Sequence, residues 1–316
     1  MIQWMRPVPP AARTDRMRNT GTAKKRESNM FGKEKRCYDG YLVGKLDPVV
    51  FLMPYIMPRR TDSESKIDLD LDLTNVESFI KEHKRDIPGL TLYHIVFATV
   101  VRAAAETPEI NRFITGNRIY QRRTVRISMM IKKHLEVNGR ESTIYPTFET
   151  TDTLPQIVEK TNKMADEALA QLDGNSNAFD GFISILYAIP PFLLRGIVGF
   201  LMFLDRHGWL PRKLTELQPF HSGFFVTNVG SIGLPVIYHH LYEFGTTSVF
   251  VSIGRKEIRS ELRPDGTVRT HKILPLRAVV DDRICDGFTY ACAFKTIRRC
   301  FRNPDILMEA FNPDEK

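Results

Sequence analysis

With 42% apolar and 26% charged residues, a chain of 316 residues can bury a sizeable core, which excludes a low-complexity body. The formal charge of +8 is unevenly placed: residues 1–36 hold ten Lys/Arg and three Asp/Glu, while the remaining 280 residues hold 35 basic and 34 acidic side chains. The positive charge thus belongs to a tail, and nucleic-acid binding is not the expected role of the body.

That tail, rich in Pro, Arg, Lys and small polar residues, has little with which to build a core. The expected organisation is a basic arm over residues 1–40 and a single domain over 41–316. The arm reads as disordered or loosely docked, with a subunit-contact arm and an anionic-surface or nucleic-acid binder as alternatives. No apolar stretch precedes the small residues Ala11-Ala12, so no secretory signal is expected and the cytoplasm is the expected location.

Lys66 to Thr74 sets Ile67, Leu69, Leu71 and Leu73 against polar partners, the pattern of a half-buried strand. Asn75 to Lys84 then reads as a helix, and Thr91 to Glu106 as a more apolar, largely buried one. Ile119 to Ile131 and Ile144 to Phe148 carry short strand-like alternation. Thr151 or Asp152 is placed to cap a helix running to about Leu172, with Ile157, Val158, Met164 and Ala168 inward.

Phe182 to Leu204 is apolar except for small polar or glycine positions and Arg195. Pro190-Pro191 and Arg195 interrupt it, leaving runs too short to span a hydrocarbon layer comfortably. A buried or surface-packed helix is expected; contact with a membrane, a hydrophobic partner or a long acyl substrate is the alternative. Asp205 to Arg212 reads as a helix stop and turn.

Three strands are predicted next, at Gly223–Val229, Thr247–Ile253 and Ile273–Val280, with Arg263-Pro264-Asp265-Gly266 marking a hairpin between the last two. From Phe288 a helix follows, with Ala291, Phe294, Ile297 and Phe301 inward. The spacings of Cys37, Cys285, Cys292 and Cys300 fit neither a CxxC pair nor a standard zinc site, and reduced thiols are expected. No histidine or carboxylate arrangement makes a metal site persuasive, and no nucleotide-binding glycine fingerprint is present.

Two segments occur together in order: Phe224-Phe225-Val226-Thr227-Asn228-Val229-Gly230, and Asp282-Arg283-Ile284-Cys285-Asp286-Gly287. They resemble the motifs F-[TS]-[IV]-S-N-L-G and H-x-x-x-D-G of the superfamily formed by chloramphenicol acetyltransferase and the catalytic domain of dihydrolipoamide acyltransferases, the E2 components of 2-oxoacid dehydrogenase complexes. Weaker similarity runs back to about Phe51, some 260 residues in all. The resemblance implies an α/β fold, a two-layer sandwich with a mixed central sheet, in which acyl groups pass between substrates at a trimer interface.

It further implies that Thr227 carries the hydroxyl that donates to the tetrahedral oxyanion. Asn228 and Gly230 would shape its turn, Asp286 would hold the site's architecture, often with an arginine, and Gly287 would allow a tight strand-to-helix passage. The base position holds Asp282 where the family has histidine. A carboxylate with an ordinary pKa near 3.9 is a weak base toward a thiol or an alcohol. Adjacent Asp281 could raise that value, although consecutive strand residues point to opposite faces.

Loss of the usual chemistry, transfer with Asp282 or a substitute base, and a different reaction all stay open. His239, His240 and His271 are the substitute bases to inspect, together with His221. Arg59-Arg60 reads as an ordinary solvated pair, with a partner for Asp286 or a phosphate contact as the alternative.

The leading functional expectation is an acyltransferase-like protein. It would take coenzyme A or an acyl-CoA as substrate, with no permanently bound cofactor, and pass the acyl group to a small hydroxyl, thiol or amine. The expected assembly is a homotrimer. The alternative is a catalytically inactive trimeric protein of the same fold, serving binding, regulation or scaffolding.

Overall fold

The computed structural model describes residues 36–37, 39–132, 141–173 and 189–315. The expectations for residues 1–35 and 182–188 fall outside the described residues. Residues 36–316 form one compact unit.

The central sheet is mixed. Strands β6 (Val125–Lys132), β9 (Phe224–Asn228) and β10 (Val249–Ile253) run parallel, while β12 (Val268–Asp281) lies antiparallel to β10 and to β3 (Glu64–Asp72). Alternation explains β3: Leu69 and Leu71 are buried and Asp68 and Asp70 exposed, as a half-buried strand requires. A smaller sheet joins β1 (Arg36–Cys37), β2 (Gly40–Leu42), β5 (Arg118–Arg122) and β4 (Arg112–Thr115).

Helices cover one face of the central sheet. α2 (Thr74–His83) contributes Val76 and Phe79, and α3 (Leu92–Glu106) is buried along most of its length. α4 (Leu154–Asp173) contributes Leu154, Ile157 and Val158 to the same core. At the start of α3 the Thr91 amide donates to Nδ1 of His94 at 3.0 Å, so this histidine serves as a helix cap. The other sheet face carries a small cluster of Phe225, Phe250, Val279 and Leu241, the last from the loop over residues 233–248. This is the two-layer α/β sandwich with a mixed sheet that the motifs imply.

Several local expectations change. α4 begins after Thr153, and Asp152 instead accepts from the Glu149 amide at 3.0 Å and pairs with Lys160. The 263–267 turn joins β12 to a strand not anticipated, β11 (Glu257–Leu262), which follows β10 along the same side of β12. In the last helix, α7 (Gly287–Arg302), Ala291 is exposed; Tyr290, Ala293, Thr296, Cys300 and Phe301 are buried. Hydrogen bonds explain the shifted face: the Tyr290 hydroxyl donates to the Asp281 carbonyl at 2.9 Å and the Thr296 hydroxyl to Glu106 at 2.7 Å.

The apolar segment forms helix α5 (Pro191–Arg206), started by a proline at its first position. Asp205 is its only buried residue, so it is neither a buried helix nor one packed closely along its length. All four cysteines are free thiols, and burial pushes those of Cys285 and Cys300 up to about 12, which keeps them protonated.

Candidate active site

Thr227 lies two residues beyond Phe225 on β9 and so shares its face, opposite the helical layer. The register aligns Thr227 with Ser252 on β10, Ser252 with Arg277 on β12, and Arg277 with Asp68 on β3. One row of polar side chains therefore crosses four strands. Ser252 is fully buried and its hydroxyl has no hydrogen-bond partner among the described residues. At the far end of the row Arg277 pairs with Asp68 at 3.1 Å and with Asp70 at 3.3 Å.

The 233–248 loop covers the next row. His239 stacks on Phe250 with ring centroids 4.1 Å apart and planes within 3°, while Tyr238 donates to Asp68 and the Leu241 amide to Glu64 at 2.8 Å. Burial lowers the pKa of His239, and the positive charge possible on His240 adds to that; a hydrogen bond to the His240 carbonyl and the charge of Glu64 oppose them. A neutral imidazole thus stands over the face that carries Thr227.

Buried arginines fix this loop. Arg60 donates to the carbonyls of Thr247 and Gly245, both at 2.5 Å, and Arg122 donates to the carbonyl and hydroxyl of Thr246 at 2.9 and 2.8 Å. Arg60 is therefore neither solvated nor a partner of Asp286. The Gly245 amide and His221 Nε2 both meet Asp205, each at 2.7 Å, so His221 is a buried structural histidine. Its pKa is lowered by desolvation against the opposing pull of Asp205.

Gly230 and Asn228 shape the turn after β9. A side chain at Gly230 would collide with the backbone of Gly254 and Arg255. Asn228 accepts from the Ser231 amide at 3.1 Å and donates to the Tyr93 hydroxyl.

The second motif sits elsewhere. Asp282 follows Arg277 by five residues, about 16 Å along the strand direction, and β12 lies two strands from β9, about 10 Å across. Thr227 and Asp282 of one chain are therefore not neighbours. The Asp282 amide donates to the Ser63 carbonyl at 2.9 Å, and its carboxyl pKa is raised by partial burial and the nearby charge of Asp281, with a Ser65 hydrogen bond opposing. The pair do point apart: Asp281 is buried and Asp282 exposed.

The arginine–aspartate pair of this region is Arg283–Asp281. Nε and Nη2 of Arg283 each donate to one carboxylate oxygen at 2.8 Å, and the Ser63 hydroxyl adds a third contact at 3.1 Å. Asp286 is instead the N-cap of α7, accepting from the Thr289 amide at 2.8 Å; hydrogen bonds from Thr289 hold its pKa below the ordinary carboxylate value. Gly287 departs from the expected tight passage: a Cβ there meets nothing within 4 Å, so close packing does not require glycine.

Of the remaining histidines, His240 is exposed against Tyr242. His271 lies near Glu261 at 3.8 Å, six residues before Arg277 and about 20 Å from the Thr227 row. Ser252 was missed in the sequence; the signal was a lone hydroxyl within the apolar run Val249–Ile253. Among the described residues no group of His, Cys, Asp and Glu is arranged to hold a metal ion.

No family model matches the sequence, and no curated protein matches it significantly. Solved structures do. A probable dihydrolipoamide acetyltransferase from Listeria monocytogenes is 15% identical with a TM-score of 0.51, covering 82% of this chain and 93% of its own. The cubic core of a pyruvate dehydrogenase multienzyme complex is 13% identical with a TM-score of 0.53, covering 96% and 99%. The Azotobacter vinelandii dihydrolipoamide acetyltransferase, studied for the catalytic roles of a serine, a histidine and an asparagine, is 12% identical with a TM-score of 0.53 and the same coverage. The chain therefore has the fold of these dihydrolipoamide acetyltransferase and pyruvate dehydrogenase core structures.

Proposed function

We propose that the protein transfers an acyl group from a coenzyme A thioester to a small hydroxyl, thiol or amine acceptor, with His239 replacing the missing motif histidine as base. The observation that carries this reading is that one sheet face of a single chain holds the Thr227 hydroxyl, the Ser252 hydroxyl and the neutral imidazole of His239. In the Azotobacter enzyme the histidine and asparagine studied for their part in catalysis are four residues apart, the spacing of Asp282 and Asp286, which supports reading Asp282 as the position of the replaced base.

In the proposed step the acceptor attacks the thioester carbonyl and its proton passes to His239. Thr227 donates to the oxyanion as charge develops there. The carbon–sulfur bond then breaks, and the departing CoA thiolate takes up a proton. Desolvation suits His239 to this task because an imidazole already protonated near neutral pH cannot accept another proton. The assembly proposed is a homotrimer, in which Asp282 of a neighbour could reach the Thr227 face and orient an amine acceptor.

Calorimetric titration with acetyl-CoA and free CoA, followed by thiol-release assays across acceptor classes, tests the reading. Micromolar binding is expected in the wild type and in Thr227→Ala, His239→Gln and Asp282→Asn. Transfer is expected to fall about 10²–10³-fold in Thr227→Ala and about 10²–10⁴-fold in His239→Gln. A larger loss in Asp282→Asn than in His239→Gln would move the base back to the motif position. Binding without transfer in any form would leave a CoA-binding protein, and no binding would remove coenzyme A from the account.

A further inference from the structure

Helix α5 presents an apolar face that the described residues leave open. Phe192, Gly196, Phe200 and Phe203 recur at intervals of four and three, so they form one line along the helix. Phe192 is 79% exposed, Phe200 60% and Trp209 63%, and Leu193 and Ile197 widen the patch. Trp209 packs edge-on against Phe203 with centroids 6.0 Å apart, which extends the aromatic surface past the helix end. Isolated exposed apolar residues are ordinary, but a contiguous patch of this kind marks an interaction surface.

Charge selects the occupant. Residues 189–217 carry Arg195, Arg206, Arg212 and Lys213 against Asp205 and Glu216. Asp205 is buried under His221 and the Gly245 amide, and Glu216 pairs with Arg212 at 2.6 Å. No carboxylate pairs with Arg195, Arg206 or Lys213 among the described residues, so the open patch has an apolar centre and an unopposed cationic rim. Pairing of this face with itself in a second copy would bring like charges together. Anionic headgroups over an acyl interior match both parts.

We propose that α5 and the turn to Trp209 seat the protein on an anionic lipid surface, with the helix lying in the plane of the interface. Sixteen residues span about 24 Å, short of the roughly 30 Å hydrocarbon layer. Among the described residues no helix is long and apolar enough to cross a membrane. The cationic rim would lie at headgroup level and the phenylalanines below it. This inference does not depend on the acyl-transfer reading.

Flotation of the full chain with two kinds of vesicle tests it: phosphatidylcholine alone, and phosphatidylcholine with about one third phosphatidylglycerol. Co-flotation with the anionic vesicles, weakened by salt, is expected. Phe192→Ser/Phe200→Ser should lower the partition coefficient at least about tenfold, and Arg195→Gln/Arg206→Gln about tenfold on anionic vesicles only. Both pairs are exposed, so unchanged circular dichroism and melting are expected as fold controls. Absence of flotation with anionic vesicles, or equal flotation of wild type and the Phe variant, would overturn the proposal. So would a Phe variant that changes only oligomeric state by light scattering, which would assign the patch to a protein partner.

Discussion

The two motif segments lie at different places on one sheet and are built by different means. Around Thr227 the backbone is crowded: Gly230 abuts the Gly254 strand end, and a covering loop is held by two buried arginines. Around Asp282 the order comes from side chains, namely the Arg283–Asp281 pair and the Asp286 cap, with the glycine left in open space. The two segments are thus held by steric necessity at one end and by charge and capping at the other. At the second, the Asp282 side chain stands exposed beside the buried Arg283–Asp281 pair.

Substitutions can break that contrast. The largest effect is expected from Asp281→Ala, which leaves the Arg283 guanidinium buried without its carboxylate and should cost about 3–5 kcal/mol in denaturant unfolding. A loss below about 1 kcal/mol would mean that this pair does not hold the end of β12 in place.

The two motif glycines give a sharper and smaller contrast. Gly230→Ala should destabilise by about 1–3 kcal/mol because the new methyl meets backbone that cannot rotate away. Gly287→Ala should stay within about 0.5 kcal/mol of wild type. Equal losses would contradict the different constraints assigned to the two turns.

The smallest effect is a pH dependence on the Thr227 side. Burial lowers the pKa of His221 below the ordinary imidazole value. As pH falls through about 6.5 the unfolded chain therefore takes up a proton that the folded chain refuses, and stability declines until the lowered folded pKa is reached. Melting temperatures from pH 8 to 5 should show a shallower acid decline in His221→Gln than in wild type. His94 and His239, also lowered by burial, would supply what slope remains. An unchanged slope in the variant would show that His221 does not carry its share.

Much of the scaffold is legible in the sequence because it follows from period and punctuation. β3, β9, β10 and the buried α3 come from alternation or sustained apolar runs, and the two motifs point to the fold that the solved structures share. β11 escapes because most of its residues are exposed and its pattern lacks an inward apolar set. The inward face of α7 escapes because Tyr290 and Thr296 are buried through hydrogen bonds, which a search for apolar spacing passes over.

The site itself is less legible. His239 was one of several histidines with nothing to rank it, since its proximity to the Thr227 face depends on a loop folding back over β10. Arg60 and Arg122 resemble surface charges until the carbonyls they hold are brought to them from more than a hundred residues away. Ser252 stands out in sequence as a lone hydroxyl in an apolar run, but only strand register places it beside Thr227.

Asp205 gives α5 a mechanical significance beyond its exposed face. Its carboxylate receives His221 and the Gly245 amide, its carbonyl receives the Thr115 hydroxyl at 3.0 Å, and the next carbonyl receives the Gly116 amide at 2.6 Å. The helix end is thus a joint between the β4–β5 turn and the loop that carries His239. Force applied along α5 would reach Gly245 through this carboxylate, six residues from the stacked imidazole. The outer helix and the loop that stacks an imidazole on Phe250 are linked through one carboxylate.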